Sequence, residues 1–270
     1  MIISSSLTLG ANLLALVFYS AGSLYFITRL LRQHDLERKS LLVTTAVALV
    51  FHGIGVIGNG FYREGFHLSY FGVSSLIFWA VNLLVLISSL KKALHNLFVL
   101  LYPLSALSVL ASIVSKNQAS HLLDYSIATH VILSIIAYSL LTIASLQALL
   151  LAYQSHQLKH KHLTPGVRLL PPLQTIEALL FELLWVGEIM LTLAIVSGFW
   201  FLEDMFAQHL VHKTVFSLCA WVIYAVLLWG RWQLGWRGNK AIRWALAGFI
   251  CLMLAYFGSR LVLEMILQRI

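Results

Sequence analysis

An all-α, polytopic membrane bundle of eight transmembrane helices, with both termini extracytoplasmic, is the fold predicted for this chain. Three observations predict it. First, 60% of the residues are apolar and only 10% are charged, far outside the range of soluble proteins. Second, the apolar residues fall in eight runs of roughly the 20 residues that a helix needs to cross a hydrocarbon core about 30 Å thick. Third, 13 of the 18 Lys and Arg residues lie on one side of the resulting ladder. Only helices and closed barrels satisfy every backbone N–H and C=O in lipid. These runs are too long for barrel strands of about ten residues.

The first span is read over 8–30, and Arg29, Arg32, Arg38 and Lys39 follow it. The second covers 40–61 and ends in a glycine-rich stretch. The third, 68–90, is separated from the fourth, 93–114, by Lys91 and Lys92. The fifth covers 128–153 and leads into Lys159, Lys161 and Arg168. The sixth, 178–202, begins beyond Thr175, a candidate N-cap, with Glu177 in the first turn where a carboxylate suits the helix dipole. The seventh, 212–231, and the eighth, 241–266, are linked by a segment carrying Arg231, Arg237, Lys240 and Arg243. The opposite side holds only Arg63, Lys116, Lys213, Arg260 and Arg269. Short basic loops stay in the cytoplasm, which places both ends outside.

The whole chain, 1–270, reads as a single integral membrane domain. Its longest polar stretch, 154–175, carries Pro165, Gly166, Pro171 and Pro172 and reads as a cytoplasmic hinge between five helices and three. The N-terminus lacks a basic region before its apolar run, so the first span is expected to be retained. The net charge of +8 reflects the loop bias and anionic headgroups, and the partner it implies is the lipid bilayer rather than nucleic acid. Cys219 and Cys251 sit in mid-span, and a disulfide between them is not expected. Haem attachment through C-x-x-C-H, a phosphate-binding loop and the common hydrolase motifs are all absent.

Titratable groups at membrane depth are costly and usually face a cavity or a partner. His52 lies in the outer part of span two and His130 near the outer end of span five. His67, His121, His209 and His212 lie at or near the outer surface. A neutral imidazole can ligate haem iron, and two histidines from different helices suit a flat ligand held between spans. The alternative for each is a hydrogen bond to a neighbouring helix. His209 and His212 share a face only if their stretch is helical. Glu188, in mid-span six, is expected to be protonated, paired or facing water. It serves either a proton path or a structural hydrogen bond. Arg260 has the fork to bind a propionate, or it pairs with Glu264 four residues on. Gly53, Gly55, Gly58 and Gly60 allow either close helix packing or room for a flat ligand.

The stretch T-H-V-I-L-S-I-I-A-Y-S from Thr129 resembles the segment that carries the first external haem-ligand histidine in the cytochrome c assembly superfamily of haem-handling membrane proteins, CcsA- and CcmC-like. Ile189–Trp200 is similar to the span that precedes the family's Trp-rich external segment. Ala220–Arg231 and Ala245–Phe249 resemble its last two spans. H-K-T-V-F-S-L-C-A-W, G-W-R-G and A-Y-F-G-S-R are closest to the YpjD-like inner-membrane branch, near the HemX-like proteins. The sequence departs from the family in three places. The W-W-D signature is missing from the stretch between Trp200 and Lys213. Trp229 stands where the family's L-H-x-R histidine falls. No histidine follows Gly258.

The resemblance implies a multi-pass protein of a bacterial inner membrane that binds non-covalent haem b and presents it at an outward-facing site in cytochrome c assembly. His130 would be one axial ligand, with His212 or His52 as the second, and Arg260 would neutralise a propionate. No residue constellation asks for an enzyme. A second reading keeps the scaffold without haem, as an accessory protein acting through a haem-assembly or other membrane partner. A third is a proton-coupled transporter using Glu188.

Overall fold

The computed structural model describes residues 4–32, 37–62, 65–66, 70–90, 94–114, 125–160, 170–201 and 211–258. Among the described residues the α-helices are α1 (Ser5–Leu31), α2 (Arg38–Gly60), α3 (Tyr70–Ser89), α4 (Phe98–Val114), α5 (Tyr125–Lys159), α6 (Leu173–Phe201), α7 (Val211–Leu234) and α8 (Asn239–Met253), each overlapping one of the apolar runs. A two-residue hairpin, Phe61–Tyr62 against Gly65–Phe66, joins α2 to α3. A 3₁₀ turn, His95–Leu97, precedes α4, and one π turn, Leu254–Gly258, follows α8.

Six of the helices, α1, α2, α3, α5, α6 and α7, are long and apolar enough to cross a membrane. The chain is thus a helical multi-pass membrane protein. The expected eight crossings are not all reached by length. At about 1.5 Å per residue, the 17-residue α4 falls short of a 30 Å core. Its predicted first turn is wound instead as the 3₁₀ turn, with Leu94 and Leu97 buried beneath it. The described part of α8 is 15 residues long.

The helices form two compact units that divide at Asp124/Tyr125. The grouping is therefore four and four, which corrects the expected five and three. The reason is the packing of α5. Ala137, Leu141, Ala144, Ala148 and Leu151 are fully buried along it, and its main partner is α6. Most of the polar stretch 154–175 expected as a hinge lies outside the described residues.

In the first unit α1 packs on α2 and α4, and α3 packs on the same two helices. The buried face of α1 runs Ala11, Ala15, Tyr19 and Phe26, a helical stripe at spacings of four, four and seven. The glycines of α2 serve close approach. A Cβ on Gly55 would overlap the Asn12 amide, and one on Gly58 would overlap the Thr8 side chain. At one end of the unit Arg38 donates to the carbonyls of Ser89 (2.6 Å) and Leu90 (3.0 Å). This satisfies backbone acceptors left over at the C-terminus of α3.

In the second unit α6 starts two residues before the expected cap. The Pro172 carbonyl accepts from the N–H groups of Thr175 (2.9 Å) and Ile176 (3.2 Å), so Thr175 lies inside the first turn. Proline suits this position because its absent N–H would have had no partner there. Glu177 also does more than favour a dipole. Arg231 Nη1 donates to its Oε1 at 2.8 Å and to the Trp236 carbonyl at 3.1 Å, and its guanidinium carbon lies 4.4 Å from the centre of the Phe181 ring. The link from α7 to α8 turns through Gly235 (φ 64°) and Gly238 (φ 56°), left-handed conformations that glycine adopts without strain.

This clasp yields a stability prediction. Arg231→Ala removes a part-buried, charge-assisted hydrogen bond and a cation–π contact. It should destabilise the purified protein by about 1–3 kcal/mol, read as a lower thermal midpoint. Glu177→Gln should cost less, because the amide oxygen still accepts. Equal midpoints for wild type and Arg231→Ala would contradict the assignment.

Candidate haem-ligand site

His130 stands in the second turn of α5, half-buried against the C-terminal turns of α6. Its Nδ1 lies 2.9 Å from the Ala194 carbonyl and 3.2 Å from Ser197 Oγ. The carbonyl can only accept, so Nδ1 carries the hydrogen and Nε2 carries the lone pair. Ser197 Oγ donates to the same carbonyl at 2.8 Å, which makes the Ala194 oxygen a shared acceptor. Ser134 Oγ donates to the His130 carbonyl at 2.8 Å. Nε2 has no hydrogen-bond partner among the described residues. This is the arrangement in which a histidine binds metal: the distal nitrogen is free, and the other donates to a backbone carbonyl that fixes tautomer and ring orientation. Among the described residues no group of three or more His, Cys, Asp or Glu is placed to hold a bare metal ion. A haem brings four nitrogens of its own and asks the protein only for axial positions.

The position in the unit follows from α6. Glu177 and Ala194 are 17 residues apart, about 25 Å of helix. His130 therefore sits at the opposite end of this unit from the Arg231–Glu177 clasp. The first turn of α7, which contains His212, lies at the same end as His130, because the last turn of α7 holds Arg231. Nothing further is described of the His212 side chain. Arg260, His209, His67, His121 and Glu264 lie outside the described residues.

His52, expected as a possible second ligand, is completely buried in the first unit with both ring nitrogens engaged. Nδ1 lies 3.1 Å from the Tyr19 hydroxyl and Nε2 2.9 Å from Ser75 Oγ. The Tyr19 ring also meets it edge-on at 5.6 Å. Iron ligation would break one of these buried bonds and orphan its partner, at about 1–3 kcal/mol. His52 is instead the polar knot joining α1, α2 and α3. Its partners Tyr19 and Ser75 are not legible in the sequence, although Tyr19 continues the Ala11–Ala15 stripe. Nor is Ser197, three residues after the carbonyl it shares with His130.

Glu188 faces the interior of the second unit. Neither of its carboxyl oxygens has a hydrogen-bond partner among the described residues. The expected structural hydrogen bond to a neighbouring helix is therefore not made. Cys219 and Cys251 are both free thiols.

Comparison with known proteins agrees with this architecture. Residues 12–267 match the family described as cytochrome C assembly protein. The chain is 33% identical over 260 residues to the inner membrane protein YpjD of Escherichia coli K12, covering 94% of this chain and 98% of that one. It is 29% identical over 137 residues to the cytochrome c biogenesis protein CcsA of Chlamydomonas reinhardtii, covering 50% of this chain and 38% of that protein. No solved structure matches it significantly. With the match running over nearly its whole length, the chain belongs to the cytochrome c assembly protein family.

Proposed function

We propose that this chain is a multi-pass inner-membrane protein that binds haem b non-covalently on the outer side of the membrane and presents it during cytochrome c assembly. The observation that carries this reading is the His130 ring, with Nδ1–H held by the Ala194 carbonyl and Nε2 free. Basic loops favour the cytoplasm, which supports a cytoplasmic Arg231–Glu177 end of the second unit and an outward His130 end. Eight crossings would put both termini outside. His130 would hold the haem iron through its free Nε2, His212, in the first turn of α7, would be the second iron-binding histidine, and Arg260 would neutralise a propionate. Haem would supply the redox-active iron. The protein holds and orients it, and no residue here is assigned a bond-making step.

A second reading is favoured by specific observations: His52 is sealed, and the stretch after Trp200 lacks the family's tryptophans. The scaffold would then act without haem, through a membrane protein partner. Purification in mild detergent separates the two. A Soret band in the isolated protein supports the first. A colourless protein that holds a stoichiometric partner supports the second.

The hydrogen bond to Ala194 yields a further prediction. Ser197→Ala removes a group that holds the shared carbonyl and contacts Nδ1. It should weaken haem binding by about tenfold while leaving the helical content unchanged. Unaltered affinity would show that Ser197 does not orient the ring.

A further inference from the structure

Three of the seven buried side-chain polar atoms that lack a hydrogen-bond partner among the described residues belong to one pair: both carboxyl oxygens of Glu188 and the hydroxyl of Tyr224. Glu188 is 8% exposed and Tyr224 only 1%. Buried polar atoms are seldom left unpaired, and each such atom asks for a ligand, a water or a proton. Here they are concentrated between α6 and α7, inside the second unit.

The surroundings narrow the choice. Glu188, Cys251 of α8 and Tyr138 of α5 lie within electrostatic reach of Tyr224, and Cys219 of α7 lies within reach of Cys251. No Lys, Arg or His is among them. Tyr138 is already bonded to Ser217. Thr192 Oγ1 donates to the Glu188 carbonyl at 2.8 Å and accepts from Trp221 Nε1 at 2.9 Å. The backbone of Glu188 is thus satisfied, and its carboxyl group is not. Gly248 of α8 gives the Tyr224 ring its seat: a Cβ there would stand 2.6 Å from Tyr224 Cζ. Two oxygen-bearing side chains are far short of the six or more oxygens of a calcium-like site. An ionised carboxylate without a cation would be very costly at this depth. Glu188 and Tyr224 do not reach each other in a direct hydrogen bond, yet they are near enough to interact. Three unpaired oxygens on two interacting residues match the two to four partners that a buried water takes.

We propose that Glu188 and Tyr224 form a buried proton-binding site, in which the neutral Glu188 carboxyl carries an exchangeable proton and one water bridges it to the Tyr224 hydroxyl. In exchange, the carboxyl O–H passes its proton to the bridging water as that water returns one of its own to the carboxyl, so that one O–H bond forms for each that breaks and the site stays neutral. The site does not depend on haem.

Infrared spectroscopy of the full-length protein in detergent, without added haem, tests this. The expected result is a protonated-carboxyl C=O band that shifts when the buffer is changed to D2O. Glu188→Gln should remove it, Tyr224→Phe should shift it, and Glu182→Gln should leave it in place. Size-exclusion profiles identify folded variants. Should Glu188→Gln fail to fold, Tyr224→Phe carries the test, since it keeps the ring that packs on Gly248. Absence of the band, its survival in Glu188→Gln, its insensitivity to Tyr224→Phe, or no response to D2O would each overturn the proposal.

Discussion

His130→Ala abolishes the Soret absorption of the purified protein, or weakens haem binding by more than about 100-fold, while the helical content stays that of wild type. The expectation follows from what the ring does for the fold. His130 is half-buried at the end of α5, and its loss leaves the Ala194 carbonyl still bonded to Ser197. The structural cost is accordingly about 1 kcal/mol, the worth of one hydrogen bond. The cost to haem binding would be an iron–nitrogen bond. Added imidazole should restore part of the absorption in this variant, because it can occupy the position vacated by the ring. A merely structural histidine would not be rescued that way. Retention of the full Soret band by His130→Ala would remove His130 from the ligand set.

His52→Ala has the opposite signature. It should destabilise the protein by about 2–5 kcal/mol, the sum of a buried cavity and two orphaned hydroxyls. Tyr19 loses its 3.1 Å partner and Ser75 its 2.9 Å partner, and both are at least 97% buried. Tyr19 also packs on Tyr102 with ring centroids 5.7 Å apart, and Tyr102 is bonded to Thr45 at 2.7 Å. The loss therefore spreads across α1, α2 and α4. The fraction that remains folded should bind haem with an unchanged spectrum. A stable His52→Ala protein that cannot bind haem would reverse the roles given to the two histidines.

The contrast between these residues shows how far the sequence could be read. By position in an apolar run, His52 and His130 look alike, since both are imidazoles in the outer part of a predicted span. What separates them comes from residues distant in the chain. His52 is closed by Tyr19, 33 residues before it, and by Ser75, 23 residues after it. His130 is oriented by a backbone carbonyl 64 residues away. Every residue has a carbonyl, so no side chain announces that partner. The eight helices were legible because lipid forces long apolar runs to wind as helices. Their packing was not. The hydropathy of α5 is the same whether it joins the first four helices or the last three, and its small and apolar face on α6 decides the matter. The Thr175 cap failed for a local reason: consecutive prolines at 171 and 172 already end the loop and start the helix. Trp229, in the place of the family's histidine, is exposed, whereas the neighbouring Gly230 packs under Trp236.

Nε2 of His130 is free among the described residues, and a haem titration of the purified wild-type chain, followed by absorption, reads whether it takes iron. Saturable binding at about one haem per chain, with a low-spin spectrum typical of two nitrogen ligands, is expected. Non-saturable absorption identical to that of haem in empty detergent micelles would contradict it.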